Sequence, residues 1–246
     1  MRASLPDVAQ DPNRGGDAAV AEYARLLSLA VHELRTPASV VTGYLRMLQG
    51  EASGPTTEHQ RRMIEEAEKS CERLVAIINE MGEVARLDTG VLPIRSVPTD
   101  LFELLHEVSG NIRTAEQAAV TVRFRGHARG AACTADRTRL GIAFSAFMSA
   151  IAREQSENAS LVIETRLEDE GGARHALIVI SREESAPDLP ARPHEPLNER
   201  RGGLGLALPI ARRVVEAHGG VVWTPATEAK GSEPVHTVIV MRFPLT

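Results

Sequence analysis

The feature that most limits what this chain can fold into is a long apolar seam near its start. Val20, Ala24, Leu27, Val31, Leu34, Ala38, Val41, Leu45 and Leu48 follow one another by fours and threes, over about four heptads. That period belongs to a helix lying along other helices. Gly50 and Ser53-Gly54-Pro55 end it, and Thr57 with Gln60 three residues on forms a capping box for a second helix. The second seam is Met63, Ala67, Ser70, Leu74, Ile77, Met81 and Val84, with Ile64, Cys71 and Ile78 widening it. Two helices cannot cover both stripes by themselves. Pairing two such hairpins in a four-helix bundle covers them, so the pattern predicts a homodimer.

After Asp88-Thr89-Gly90 the pattern becomes mixed. An extended piece is expected around Ile94. Asp100 then serves as N-cap for a helix with Leu101, Leu104, Leu105, Val108 and Ile112 on one face. Val120, Val122 and Phe124 alternate as a strand, and a helix from Asp136 carries Leu140, Phe144, Phe147, Met148 and Ile151. Strands are expected over 161–167 and 176–180, a loop or lid over 182–201, a glycine-led helix over 203–218, and closing strands over 221–223 and 235–243. The expected fold class is a helical hairpin, paired as a dimeric bundle, followed by an α+β sandwich with helices on one face of a mainly antiparallel sheet. The expected organisation is a disordered lead-in over 1–17, the hairpin over 18–90 and the α+β domain over 91–246.

Within the first helix, Leu29-Ala30-Val31-His32-Glu33-Leu34-Arg35-Thr36-Pro37 places His32 one position off the seam, facing solvent. A lone helical histidine is ordinarily just a surface residue, and its neighbours are what distinguish this one. Imidazole is largely unprotonated and nucleophilic near neutral pH. Glu33 beside it can orient one ring nitrogen and take its proton while the other attacks phosphorus. Thr36, one turn on, can position a water. Pro37 costs a helix interior about 3 kcal/mol and leaves the Glu33 carbonyl without its helical donor, so a kink there would loosen the turn carrying His32. The segment His32–Thr36 also begins like a zinc protease helix, but Thr36 stands where the second histidine is needed, which excludes that chemistry.

Composition narrows the alternatives. A net charge of −5 gives no electrostatic case for nucleic acid or an anionic membrane. No apolar run approaches the ~18 residues of a membrane span. Cys71 and Cys133 lie far apart without a metal-ligand pattern, the expectation being reduced thiols in a cytoplasmic protein. No metal site is expected.

The run His32-Glu33-Leu34-Arg35-Thr36-Pro37 resembles the H-box of the histidine protein kinase family, matching it at every position. The order of hairpin, linker Arg86-Leu87-Asp88-Thr89-Gly90, α+β domain and His218-Gly219-Gly220 is also similar, so the resemblance covers about residues 20–246. It implies that His32 is the phosphorylated histidine, that Glu33 is its acid/base partner and that Thr36 assists dephosphorylation of a response regulator. Arg35 and Pro37 belong to the same region. It further implies an ATP-binding fold of the Bergerat type for the second domain.

The nucleotide motifs depart from that family. Aligned from Asp136, Arg139 and Leu140, its two asparagines fall on Ala146 and Ala150, and a methyl group cannot ligate Mg²⁺. Arg153 keeps the basic residue one turn later, and Glu154 offers an oxygen from a shifted position. Where the family has an aspartate that accepts the adenine amino group, this chain has Arg182, a donor only. Both glycines of that motif are replaced within Glu183-Glu184-Ser185-Ala186. Gly203-Leu204-Gly205-Leu206 matches the later glycine box, with Arg201 in place of its leading glycine. Such glycines suit phosphate binding at a helix start, but they also permit close packing of the helix on the sheet, and packing is the reading taken here.

Three functions follow. The first is a phosphotransfer protein or pseudokinase regulator that exchanges phosphoryl groups at His32 with a response-regulator receiver domain or an upstream histidine kinase, with no cofactor. The second is an active kinase using ATP and Mg²⁺ through a divergent site. The third is a dimeric scaffold, which has no physical need for Glu33 and Thr36 around His32.

Overall fold

A helix α1, Asn13–Gln49, and a helix α2, Glu58–Asp88, form the first part of the chain. The computed structural model describes residues 13–49, 54, 56–89, 93–112, 120–153, 160–182, 195–197, 205–225 and 238–245, with backbone alone for 13–21 and 195–196. The chain divides into two compact units, Met1–Leu92 and Pro93–Thr246. Residues 13–17, expected in the lead-in, are helical. Once a helix is nucleated, each further residue is added at little cost. Helix α1 continues through Pro37. Thr57 caps α2 as expected, its hydroxyl accepting from the Gln60 amide while the Gln60 side chain accepts from the Thr57 amide.

The contact between α1 and α2 uses Ala24, Val31 and Ala38 from α1 and Cys71, Ile78 and Ala85 from α2, each row stepping by sevens. Val31, Ala38 and Ile78 form its centre, with Val75 and Met81 packed against them. Thr42 Oγ1 donates to the Ala38 carbonyl at 2.9 Å and lies 3.1 Å from Cys71 Sγ. This corrects the expected seam of α2. Cys71 and Ile78, read as its fringe, are its interior, whereas Met63, Leu74 and Ile77 stay exposed. On α1, Leu34, Val41 and Leu48 likewise remain 45–50% exposed. Each helix thus bears two apolar rows, and the hairpin closes one of them.

The first strand of the second unit is β1, Val97–Asp100, later than the extended piece expected at Ile94, because its antiparallel ladder partner β3, Ala132–Ala135, ends opposite Val97. Asp100 caps helix α3, Leu101–Ser109, by accepting from the Phe102 and Glu103 amides. Strand β2, Thr121–Gly126, helix α4, Arg137–Arg153, strand β4, Ser160–Glu170, and strand β5, Ala173–Arg182, follow. A short strand β6, Glu195–Pro196, lies inside the stretch expected to be a lid, because it pairs with β7, Val221–Thr224. The remaining elements are helix α5, Ala207–Ala217, and strand β8, Val238–Pro244. Helix α5 starts later than the expected 203, and Gly205 sits in a turn with φ +62° before it.

The larger sheet has the order β2-β4-β5-β8-β7-β6, antiparallel except for the β2/β4 pair. Its core face carries Ile163, Ile178, Ile180, Ile239, Met241 and Phe243, all buried. Against it α4 sets Phe144, Phe147, Met148 and Ile151, and Phe144 meets Phe243 edge-on at 6.0 Å between ring centroids.

One polar junction ties α4 to α5. Buried Asp136 accepts from the Arg139 amide at 3.1 Å and the Arg95 amide at 3.0 Å. Its own amide donates to His218 Nε2 at 2.9 Å, while His218 Nδ1 lies 2.7 Å from the Val214 carbonyl. One ring nitrogen must accept and the other donate, so the neutral Nδ1–H tautomer satisfies both. Burial pushes the Asp136 carboxyl upward, but the two amides and the Arg139 guanidinium outweigh this and hold it below the usual aspartate value. Asp136→Ala leaves two amides without their acceptor. It should destabilise the second unit by about 2–3 kcal/mol in denaturant melts. The wild-type contribution is complete above about pH 4 and disappears as acid protonates the folded carboxyl, so the variant should show a shallower acid limb.

Candidate functional site

His32 projects from the middle of α1 with its side chain 76% exposed, and Glu33 beside it is 72% exposed. Glu33 Oε1 lies 3.5 Å from His32 Nδ1, which leaves Nε2 pointing away from the carboxylate and open to solvent. One residue advances an α-helix by about 100°, so His32 and Leu34 are about 160° apart around α1. The imidazole therefore stands on the flank opposite the exposed row of Leu34, Val41 and Leu48. Thr36 and Pro37 are exposed on α1, and Arg35 donates across the hairpin to Asn79 Oδ1 at 3.0 Å. Beside His32 the two helices enclose a groove of about 690 Å³, with Arg25 and Leu29 of α1 facing Ala85, Arg86 and Thr89 of α2.

In the second unit the described nucleotide positions lie on α4, at the end of β5 and just before α5. Ala150 is completely buried in α4 among the core residues, Ala146 is half-buried, and Arg153 is exposed at the last position of the helix. Arg182 is half-buried at the end of β5, opposite Leu161 in the ladder. Gly205 precedes α5, whose first turn has no side-chain cap. Gly203, Glu154, Arg201 and residues 183–186 lie outside the described residues. Among the described residues no cluster of His, Cys, Asp or Glu could hold a metal ion. Ala146 and Ala150 carry methyl side chains, which cannot ligate Mg²⁺, so they do not fit the role that the resemblance implies for these positions.

Residues 23–90 match the His Kinase A (phospho-acceptor) domain. The sensor protein GacS of Pseudomonas syringae pv. syringae is 28% identical over 217 residues, covering 82% of this chain and 23% of that protein. The alginate biosynthesis sensor protein KinB of Pseudomonas aeruginosa is 23% identical, covering 82% of this chain and 34% of its own length. The segment that carries His32 thus matches the phospho-acceptor domain of histidine kinases.

This chain spans about a quarter to a third of the length of these curated relatives. Solved histidine kinases share its fold. Full-length ShkA in complex with AMPPNP superposes with a TM-score of 0.57 at 23% identity, over 90% of this chain and 46% of that one. The Acinetobacter baumannii histidine kinase AdeS gives 0.51 at 16% identity, over 87% and 98%. No described helix is long and apolar enough to cross a membrane.

Sequence reasoning placed His32, Glu33 and Thr36 on one exposed stretch of helix, where they are found. It missed the contact of Arg35 with Asn79 and the groove flanked by Arg25 and Arg86. The heptad spacing of Arg25 and His32 was the available signal. The geometry predicts that diethyl pyrocarbonate acylates His32 about as fast as a free imidazole. His218, with both ring nitrogens engaged, should react at least about tenfold more slowly. Peptide mapping by mass spectrometry reads both rates, and a protected His32 would contradict the placement.

Proposed function

We propose that this chain is a phosphoryl-transfer protein of two-component signalling in which His32 carries the phosphoryl group and the ATP site of the second unit is impaired. The observation that carries the reading is the exposed imidazole with a carboxylate 3.5 Å from its Nδ1 and a clear approach to Nε2. As Nε2 bonds to phosphorus, the bond from phosphorus to the donor oxygen breaks and its electron pair leaves with that oxygen. Glu33 receives the proton from Nδ1, so the phosphorylated ring does not carry two positive nitrogens. Read in reverse, the same step returns the group to a receiver aspartate. Thr36, one turn on, positions water for hydrolysis.

The partners proposed are a response-regulator receiver domain, an upstream histidine kinase and a second copy of this chain. The uncovered rows on both helices support the second copy, since a paired bundle buries them while leaving the His32 flank free. Loss of ATP use rests on the methyl groups of Ala146 and Ala150 and on the donor-only side chain of Arg182. A missing metal contact commonly costs a reaction orders of magnitude in rate. No cofactor is then needed, and the second unit serves docking and dimer geometry.

The alternative is an ATP- and Mg²⁺-using kinase with a divergent site. It draws on Gly205 before α5 and on that helix start without a side-chain cap, an arrangement that suits phosphate. Two assays separate the readings. With a phosphorylated receiver domain, the wild type should drain phosphate and His32→Ala should not. Equal rates would remove His32 from the chemistry. With labelled ATP and Mg²⁺, the wild type should gain no acid-labile label on His32, and robust label would establish the kinase instead.

A further inference from the structure

The flank beside His32 is concave and carries positive charge. Arg25 precedes His32 by one heptad, so the two lie on the same side of α1, about 10.5 Å apart along its axis. On α2, Arg86 follows the buried Ala85 by one position and faces the same groove. Arg46 and Arg62 are paired with Glu68 and Glu58. The guanidiniums of Arg25 and Arg86, by contrast, make no hydrogen bond or ion pair among the described residues, the Arg86 carbonyl alone accepting from Thr89 Oγ1, and Glu22 also lines the groove. Ala24, Leu29 and Ala85 give it an apolar lining. At about 690 Å³ it has the size of a small-molecule site and exceeds what a single phosphoryl group would fill.

We propose that Arg25 and Arg86 form an anion site that holds a phosphate-bearing small molecule in the groove, with its phosphate chain extending toward His32. The inference rests on the phosphoryl-transfer role assigned to His32 and adds the residues that would steer an anion to it. Among the described lining residues, two guanidiniums stand against one carboxylate, a net positive balance. Their planar forks suit phosphate oxygens, and the apolar wall offers the rest of the ligand a surface to pack against. The site lies about 160° around α1 from the row of Leu34 and Val41, so covering that row leaves the groove open.

The test uses the full chain, inorganic pyrophosphate as probe, and the arginine Nε–Hε resonances as readout at low ionic strength. Saturating shifts at Arg25 and Arg86 are expected, diminishing with added salt. The double variant Arg25→Gln/Arg86→Gln should bind at least about tenfold more weakly. Arg61→Gln, an exposed change outside the groove, should bind as wild type does. Both groove arginines are exposed, and an unchanged melting midpoint verifies that the double variant keeps its fold. Absence of saturation in the wild type, or equal affinity in the double variant, overturns the site. His32→Ala keeps the two readings apart. If it and the wild type bind pyrophosphate alike while neither exchanges phosphate with a receiver, the anion site stands and the histidine chemistry falls.

Discussion

Each helix of the hairpin carries more apolar surface than one neighbour can cover, and the rest of the first unit follows from that excess. Val31, Ala38, Cys71 and Ile78 step by sevens and close against each other within one chain. Leu34, Val41, Leu74 and Ile77 also step by sevens or threes on a second row that stays open. Burial of an aliphatic side chain is worth about 1.5–3 kcal/mol, so an open row of this length is a strong drive toward association. The proposed second copy has a surface of the same period.

The same arithmetic fixes where chemistry can happen. With one row turned to α2 and another assigned to the proposed partner hairpin, the remaining flank of α1 is the one left accessible. His32 and Arg25 occupy it, and Arg86 with Asn79 lines the matching flank of α2. A nucleophile needs access and a nearby base, while a core needs their exclusion. The heptad allows both on one helix by placing them about 160° apart. The second unit resolves the matter differently. At Ala150 the core has claimed the position itself, and the side chain there packs instead of reaching a ligand.

Much of this was legible in the residues. Seams of fours and threes gave the hairpin, Thr57 with Gln60 gave its second start, and Asp100 announced α3 through a cap that the structure contains. His32 was found because its neighbours supply a reaction, a local property that sequence displays directly. What stayed hidden depends on pairing across distance. Which row of α2 faces α1 cannot be read from period alone, since Met63–Leu74 and Cys71–Ile78 are equally periodic. Strand β3 is short and half-exposed, without an alternation long enough to register. The link from Asp136 to His218 joins residues 82 positions apart, and only the folded sheet brings them together.

The open rows are therefore the proposed interface, with the histidine flank left free. Sedimentation equilibrium on the wild type and on Leu34→Asp/Leu74→Asp tests this most directly. The wild type should sediment as a dimer, and the double variant as a folded monomer with unchanged helix content. A wild-type monomer at micromolar concentration, or a double variant that remains dimeric, would contradict it.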